Sequence, residues 1–244
     1  MRSGLGLGLD LGRSAVVTWP VQGVNVPCVA DWRVDRGLTT SMGLVTSWAD
    51  QSGYGSTLTV SSGDTAPAVI GGQLAGQPIV RFSGTERLTY ARAQGVPVSV
   101  AFVARRQAGY SGWSALIRGD DYSGASFDGW EVDTSVPSGT VVNAWGSFHT
   151  GGPLYSSHAL DDFSACVMSM SAYDNIAFYT DQHSADVVTV SGGNANFGRH
   201  VGGSSGSGDP GGHSDVAHIA MFDGALSATD AARVVEAMRA LWRL

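Results

Sequence analysis

The feature that most restricts the fold of this 244-residue chain is a series of short β-type segments separated by glycine-rich breaks. β-Branched and aromatic residues are concentrated in segments such as VPVSVAFVARR, SACVMSMSAY and DVAHIAMFD, each bounded by Gly, Asp, Asn or Ser. The 34 glycines suit frequent turns. Because no helical pattern separates these segments, the sequence predicts an all-β, two-sheet antiparallel sandwich or jelly roll.

One α-helix is predicted at the C-terminal end, over residues 228–243. Ser227 suits the N-cap position, and Asp230 favours the positive end of the helix dipole. Apolar residues then recur at helical spacing on one face: Ala231, Val234, Val235, Met238, Leu241 and Trp242. We expect this face to pack against the sandwich, so that residues 15–244 form a single domain.

Residues 1–14 are predicted to form an extended arm before this domain, whose strand signals begin near Ala15 with AVVTWPVQGVNVP. Leucines alternate with other residues in the arm, so in an extended chain they all point the same way. These leucines are Leu5, Leu7, Leu9 and Leu11. Since exposed leucines favour burial, we expect them to dock on another chain, either a particle protein or a neighbouring copy. The alternative is that the arm packs on its own sandwich as an edge strand.

Charge and composition argue against several classes of function. The chain has a formal net charge of −7, all its basic residues are Arg, and no basic run is present, so nucleic-acid binding is not expected. No stretch approaches the roughly 20 apolar residues of a membrane span, and no secretion signal is expected. Cys28 and Cys166 lack metal-type spacing, and we expect two free thiols rather than a disulfide.

The octet WADQSGYG at residues 48–55 is predicted to be a structural turn. It has the pattern W-x-D-x-S-G-x-G, in which the glycines permit a tight turn. Trp48 can bury its ring, while Asp50 and Ser52 hydrogen-bond backbone groups of the turn. Contact with a ligand is the alternative role for these side chains.

The order of motifs along the chain resembles that of a known superfamily. The octet is preceded by ADWRVDRGLTT and followed by GQPIVRFSGTERL, VPVSVAFVARR and a strand–turn–helix ending. This order is similar to the laminin-G-like jelly rolls of the concanavalin A-like lectin/glucanase superfamily, which are common in bacterial surface proteins and phage virion proteins. The resemblance runs from about Asp31 to Trp242 and implies two sheets packed face to face. His218 stands where such proteins usually carry an acidic residue, and we expect a hydrogen-bonded core histidine there.

Because the superfamily includes glucanases, the presence of catalytic acids decides whether hydrolysis is expected. A retaining glycosidase needs two carboxylates about 5–5.5 Å apart, and the resemblance implies an E-x-D-x-E-like run on one strand. The chain offers GWEVDTS, in which Glu131 and Asp133 share a strand face but Ser135 takes the third position. We therefore predict that Glu131 and Asp133 are exposed strand-edge carboxylates and that the chain is not an enzyme.

Aromatic residues interleaved with Asp are concentrated in residues 110–155, which suits stacking on sugars and hydrogen bonds to their hydroxyl groups. The candidate glycan-binding residues are Tyr110, Trp113, Tyr122 and Trp130. The alternative is that half of the aromatics in this region belong to the core. The sequence GDDYSGASFD offers a candidate calcium site, whose ligands would be Asp120, Asp121 and Asp128. The Gly/Ser-rich stretch 202–215 is predicted to be a surface loop, and Asp209 and Asp215 in it form a second, weaker calcium candidate.

These expectations lead to a first hypothesis of a non-enzymatic virion structural or adhesion protein. It would be a phage-like head or tail decoration, spike or fibre component that binds host-surface glycans. Its partners would be other virion proteins or neighbouring copies, reached through the arm, and it would be oligomeric in the assembly. The alternative is a glycan-binding module of a bacterial surface or secreted protein, located at the cell surface or outside the cell. A glycosidase is the third hypothesis.

Overall fold

The computed structural model is an antiparallel β-sandwich with one C-terminal helix. In several of the shorter strands only the backbone is described. The residues that the structure describes are 19, 21–91, 98–107, 114–118, 121–123, 126–128, 132–135, 145–149, 152–156, 160, 162–172, 175–180, 186–189, 200–202 and 212–244.

The described residues form a succession of short strands and one helix. The first strands are β1 (Cys28–Arg33), β2 (Leu38–Ser41), β3 (Leu44–Trp48), β4 (Leu58–Thr59), β5 (Ala68–Leu74), β6 (Gln77–Gly84), β7 (Arg87–Thr89), β8 (Val98–Arg106), β9 (Ser114–Arg118) and β10 (Asp121–Ser123). They are followed by β11 (Ser126–Asp128), β12 (Val132–Ser135), β13 (Trp145–His149), β14 (Gly152–Ser156), β15 (Ser164–Ala172), β16 (Asn175–Thr180), β17 (Asp186–Thr189), β18 (His200–Gly202) and β19 (Gly212–Phe222). The helix α1 spans Ala228–Trp242.

The strand pairings form two layers. In the first layer β19 is central, because it pairs with β8 along one edge and with both β1 and β6 along the other. This layer continues from β8 to β15, β16 and β17, and from β6 to β5. The second layer runs in the order β2, β3, β4, β7, β18, β9, β12, β13 and β14. The pair Leu44–Ala68 joins the two layers where β3 meets β5.

The core lies between the layers, as the alternation of side chains along each strand requires. On β8, Val100 and Phe102 point into the sandwich and are fully buried. The second layer contributes a cross-strand row that is also buried, consisting of Leu88, Val201 and Ile117. Burial of apolar surface between the two layers is therefore the main source of stability in the described part of the chain.

The helix α1 packs on the outer face of the first layer, against β8, β15 and β16. Small side chains line this part of the face, among them Ala101 and Val103 of β8 and Ala165 of β15, and all are buried. Small residues let the helix lie close to the sheet. The buried side of the helix consists of Ala231, Val234, Val235, Met238 and Trp242.

Two serines fix the turn that leads into the helix. The Ser99 hydroxyl donates to the Gly224 carbonyl and accepts from the Leu226 N–H, each at 2.9 Å. The Ser169 hydroxyl donates to the Leu226 carbonyl at 3.0 Å. Ser227 then caps the helix by accepting the N–H of Asp230 at 3.2 Å, so the predicted N-cap is confirmed.

The all-β fold class and the C-terminal helix are both confirmed. The helix ends at Trp242, one residue earlier than predicted, and Leu241 is half-buried rather than fully buried. Both cysteines are free and buried, as expected. Within the described part of the chain, no helix is long and apolar enough to cross a membrane.

Two predicted boundaries are wrong. The segment AVVTWPVQGVNVP is not a strand within residues 21–27, because Gly23 adopts a left-handed φ of 84° and Pro27 lacks an N–H to donate to a sheet. The first described strand begins only at Cys28. The Gly/Ser-rich stretch 202–215 is not a loop throughout, since β19 begins at residue 212. Residues 1–18, which include the predicted arm, lie outside the described residues.

Candidate functional site

The octet at residues 48–55 is a turn organised by the Asp50 carboxylate. Its Oδ1 accepts the N–H groups of Asp31 and Ser52, both at 2.8 Å. Its Oδ2 accepts the Ser52 hydroxyl at 2.7 Å and the Ser56 N–H at 3.0 Å. One side chain therefore joins β1 to both ends of the turn.

The electrostatics of the octet agree with a structural role. Burial by itself would raise the pKa of Asp50, but hydrogen bonds from Ser52, Ser56 and Asp31 outweigh burial and hold this pKa below its usual value. Trp48 is fully buried, and its indole N–H donates to the carbonyl of Arg33, the last residue of β1, at 2.9 Å. The predicted role of W-x-D-x-S-G-x-G as a structural turn is confirmed.

A second polar group lies inside the molecule, where β1, β19 and α1 meet. His218 Nε2 lies 2.7 Å from Asp31 Oδ1, and the Trp242 indole N–H donates to His218 Nδ1 at 3.2 Å. Because Nδ1 accepts the indole proton, Nε2 carries the ring proton and donates it to the carboxylate. The Trp19 ring packs edge-on against His218, with centroids 4.8 Å apart. The prediction of a hydrogen-bonded core histidine is confirmed.

The protonation state of His218 follows from its burial. Desolvation lowers the pKa of this fully buried imidazole and outweighs the opposite effect of Asp31. The ring is therefore neutral at pH 7, as its hydrogen bonds already require. A sealed, neutral ring of this kind holds the helix to the sheet but cannot exchange protons with a substrate.

A third polar group lies on the same outer face, beyond the helix. Asp215 is fully buried between Arg81 of β6 and Arg105 of β8. Arg81 donates to Oδ1 at 2.7 Å and to Oδ2 at 2.8 Å, while Arg105 donates to Oδ2 at 2.9 Å. The Arg105 guanidinium also lies over the Phe163 ring, 4.5 Å from its centroid. These hydrogen bonds to Asp215 raise the pKa of Arg81, against a smaller lowering by burial.

The calcium prediction has two different outcomes. For Asp215 it is wrong, because two guanidinium groups already neutralise this carboxylate and occupy its oxygens. Asp121 and Asp128 form a cross-strand pair in the β10–β11 hairpin, while Asp120 and Asp209 lie outside the described residues. Within the described chain, no group of three or more His, Cys, Asp or Glu side chains could hold a metal ion. Calcium binding at the hairpin stays a prediction.

The predicted glycan-binding residues fall around the connection from β9 to β12. Outside the described residues lie Tyr110, Trp113 and Trp130. Tyr122 lies in β10, which pairs with β11 to form a separate two-stranded sheet. Because β9 and β12 are antiparallel, with Ser114 opposite Ser135, the first residues of the two strands lie at opposite ends of the pair. The structure therefore does not test a single site built from all four aromatics.

The remaining predicted residues are placed only in part. Asp133 lies in β12, where its backbone is opposite Gly146 and Ala115. Glu131 lies outside the described residues. Also outside them are the docking leucines Leu5, Leu7, Leu9 and Leu11.

The sequence predicted a hydrogen bond for His218 but revealed neither its partner Asp31 nor the arginine partners of Asp215. Asp31 and His218 are 187 positions apart, and Asp215 is 134 positions from Arg81, so no local spacing reveals either pair. One signal was available: an acid at the start of, or inside, an apolar strand segment must find a partner if that segment is buried. Asp31 and Asp215 both stand in such segments.

Solved structures share this fold at low sequence identity. An arabinofuranosidase complexed with arabinofuranosyl-α-1,2-xylobiose is similar over 89% of this chain and 63% of its own, with 14% identity and a TM-score of 0.67. The ligand binding domain of botulinum neurotoxin serotype D, complexed with N-acetylneuraminic acid, is similar over 87% and 51%, with 10% identity and a TM-score of 0.58. A Trypanosoma rangeli sialidase in complex with the inhibitor DANA is similar over 85% of this chain and 32% of its own, with 12% identity and a TM-score of 0.54. No protein-family model and no curated protein sequence matches the chain.

These comparisons define the class of fold. The chain is a jelly-roll-like β-sandwich of the kind found in carbohydrate-binding and carbohydrate-cleaving proteins, and it spans less than two thirds of the length of each structure named above. The prediction that the chain is not an enzyme is contradicted, because the similar structures include arabinofuranosidases and a sialidase. That prediction demanded the carboxylate run of one type of glucanase, and a fold shared with these other enzymes is not tied to that run.

Proposed function

We propose that this chain is a carbohydrate-binding β-sandwich domain. The observation that supports the proposal is the shared fold, which covers 89% of the chain in an arabinofuranosidase complexed with an oligosaccharide and 87% in a toxin domain complexed with N-acetylneuraminic acid. A rigid sandwich holds variable loops in place, and such loops carry ligand contacts. The shared frame therefore supports the class of ligand and leaves the particular sugar to the loops.

We place the glycan contact in the connection between β9 and β12. The β10–β11 hairpin in this connection forms its own two-stranded sheet, separate from the strand pairings of the two layers. The aromatic residue of β10 therefore does not lie on a strand of either layer. Aromatic faces stack on the C–H surfaces of sugar rings. This connection contains Tyr122 and Trp130, which are the contributing residues proposed here. Tyr110 and Trp113 precede β9 and are the candidate residues at the other end of the β9–β12 pair.

Glycan binding by the full chain tests this proposal. We would measure binding to an array that includes arabinose-containing and sialylated glycans, followed by calorimetric titration of the best ligand. Replacing all four aromatics by alanine is expected to weaken binding at least about tenfold, because each stacking contact contributes about 1 kcal/mol. The matched control is Tyr54→Ala, which removes an exposed tyrosine of the octet turn. If the wild type binds no glycan the proposal is wrong, and if the fourfold variant binds normally the contact lies elsewhere.

Hydrolysis of a glycoside is the second candidate function, favoured by the fold shared with arabinofuranosidases. Its candidate acids are Glu131 and Asp133, which alternate in sequence at the start of β12. The test is release of 4-nitrophenol from 4-nitrophenyl α-L-arabinofuranoside by the full chain. Turnover that is lost in Glu131→Gln and Asp133→Asn would support this function. Turnover that survives both changes would assign the reaction to other residues.

We further propose that the domain is displayed on a phage-like particle and docks there through its arm. This proposal is supported only by the alternating leucines of residues 1–14 and by the family resemblance of the sequence. Deleting residues 1–13 should leave the melting temperature unchanged while abolishing incorporation into particles. A truncated chain that is incorporated normally would remove the docking role.

A further inference from the structure

A pocket of about 140 Å³ lies where three segments that are distant in sequence meet: the turn after β1, the β5–β6 turn and the last turn of α1. Its lining residues are Asp35, Ala75, Gln77, Leu241, Trp242 and Arg243. We propose that this pocket binds one uncharged sugar ring, or a polyol of the same size. The inference rests on the carbohydrate-binding function proposed above and adds a second site, outside the β9–β12 connection.

Asp35 supplies a fixed hydrogen-bond acceptor. Its Oδ1 accepts Arg33 Nε at 2.9 Å and its Oδ2 accepts Arg33 Nη2 at 2.7 Å. Arg33 is itself buried, and its carbonyl accepts the indole N–H of Trp48, so the pair is anchored to the core. A carboxylate has acceptor capacity beyond these two bonds, and the Asp35 side chain is 22% exposed. Asp35 can therefore accept from a ligand hydroxyl without first being ordered.

Gln77 and Arg243 supply hydrogen-bond donors to the pocket lining. Both residues are exposed, and neither side chain bonds to another residue within the described part of the chain. The backbone of Arg243 is nevertheless fixed, because its N–H donates to the Arg239 carbonyl at the end of the helix. A guanidinium and an amide held near a carboxylate can accept and donate around a single hydroxyl-bearing ring.

A smaller part of the pocket lining is apolar. Ala75 and Leu241 present alkyl groups, and Trp242 is held in one orientation by its hydrogen bond to His218. Sugar rings carry hydroxyl groups at their edges and apolar C–H groups on their faces, and these faces pack against apolar side chains.

The backbone at the pocket is held in an unfavourable conformation. Among the described residues, three that are not glycine have a positive φ, and two of them line this pocket: Ala75 at 48° and Arg243 at 56°. The left-handed region is disfavoured for residues with a Cβ. The cap bond to Arg239 holds Arg243 in this conformation, and the β5–β6 hairpin turn, closed by the pairing of Leu74 with Gln77, holds Ala75.

The size and charge of the pocket define the class of ligand. Its volume of about 140 Å³ is about half the lower limit of roughly 300 Å³ for sites that enclose drug-sized ligands, so it accommodates one ring rather than a chain of sugars. Asp35 and Arg243 line the pocket with opposite charges. Because Arg33 and Arg36 already pair with Asp35, a cation would gain little from this carboxylate. A neutral ring with hydroxyl groups can bond to both.

The test is an NMR titration of the ¹⁵N-labelled full chain with methyl glycosides of arabinofuranose, glucose and galactose at millimolar concentration. We expect saturable shifts at residues 75–77 and 241–243 with at least one of these probes. Arg243→Gly removes the guanidinium at a helix end where glycine is preferred, so the fold is retained. Gln77→Ala removes the exposed amide. In each variant the affinity for the bound probe should fall at least about tenfold, because the ligand loses a hydrogen bond from a charged or well-oriented donor.

The matched control is Met42→Gly, which makes the same replacement at the third left-handed position, in the exposed β2–β3 turn outside the pocket. Normal affinity in the control together with weak affinity in the pocket variants supports the proposal. Normal affinity in all variants, or shifts confined to other residues, overturns the pocket but leaves the carbohydrate-binding function in place. Binding of longer glycans without any of the single-ring probes has the same meaning. A chain that binds neither probes nor glycans overturns both proposals.

Discussion

Two regions of one sheet face bury a carboxylate in different ways. Under α1, Asp31 is paired with the neutral ring of His218, and no part of the pair reaches solvent. Beyond the helix, Asp215 is just as buried but is held by two arginines, Arg81 and Arg105, whose side chains are 33% and 26% exposed. His218 of the first region and Asp215 of the second lie three residues apart on the same strand, β19.

The difference shows how solvent access selects the partner of a buried acid. A guanidinium sealed under the helix would lose most of its hydration, which its attraction to Asp31 would not fully offset. A neutral imidazole with a donor and an acceptor satisfies the carboxylate and the Trp242 indole at lower cost. At the open end, Arg81 and Arg105 keep part of their guanidinium groups in water while bonding to Asp215. We expect substitutions in the sealed region to be more destabilising.

The largest effect on stability is expected from Val235→Asp, which places a charge between α1 and the sheet. Val235 is 4% exposed on the buried side of α1, so the new carboxylate would be buried without a partner. We expect the free energy of unfolding to fall by about 3–5 kcal/mol, measured by denaturant titration. Ala232→Asp, the same change on the exposed side, is the control, and Leu241→Asp should fall between them because Leu241 is half-buried. Equal stability of Val235→Asp and Ala232→Asp would show that the helix is not docked.

A slightly smaller loss is expected from His218→Leu. This change leaves the Asp31 carboxylate without its donor and the Trp242 indole without its acceptor, both inside the molecule. We expect the free energy of unfolding to fall by about 3 kcal/mol. Adding Asp31→Leu to this variant should restore part of the loss, since no unpaired carboxylate remains. A double variant less stable than His218→Leu would contradict the pairing.

At the open end, Asp215→Asn should cost less. Arg81 and Arg105 lose their anion but remain partly hydrated, so the expected loss is about 1–2 kcal/mol. Because the arginines reach solvent, added salt should reduce the difference between variant and wild type, whereas it should hardly change the effect of His218→Leu. Denaturant titrations at low and high salt measure both. A loss as large as that of His218→Leu would remove the distinction between the two regions.

The smallest expected effect is the contribution of His218 to the pH dependence of stability. Burial lowers the pKa of His218, so below about pH 6.5 the unfolded chain binds a proton that the folded chain does not. The free energy of unfolding should therefore fall as the pH drops below about 6.5, by at most about 1.4 kcal/mol per pH unit from this residue. His218→Leu should remove this contribution.

His213 is the matched control on the open end of β19. Its pKa is also lowered by burial, with Glu86 acting in the opposite direction, but its side chain is only partly buried. His213→Gln should therefore leave most of the pH dependence of the wild type. Unfolding measured at pH 7 and pH 5.5 for both variants decides this, and equal slopes in the two would contradict the sealed state of His218.

Local features of the fold could be predicted because their partners are close in sequence. Ser227 caps a helix three residues away, and Asp50 closes a turn with Ser52 and Ser56. The apolar stripe of α1 was predicted in full, and only the depth of Leu241 was wrong, since periodicity gives the side of a helix but not the distance of each residue from the sheet.

The sequence by itself determined the all-β class, the octet turn and the docked side of the C-terminal helix, because alternation, turn chemistry and capping act over a few residues. Only the tertiary structure decided that Asp31 pairs with His218 and Asp215 with Arg81, and that Asp35 and Arg243 share one pocket. These contacts join segments more than 100 positions apart. Their geometry depends on strand register and helix docking, which are set by packing of the whole core.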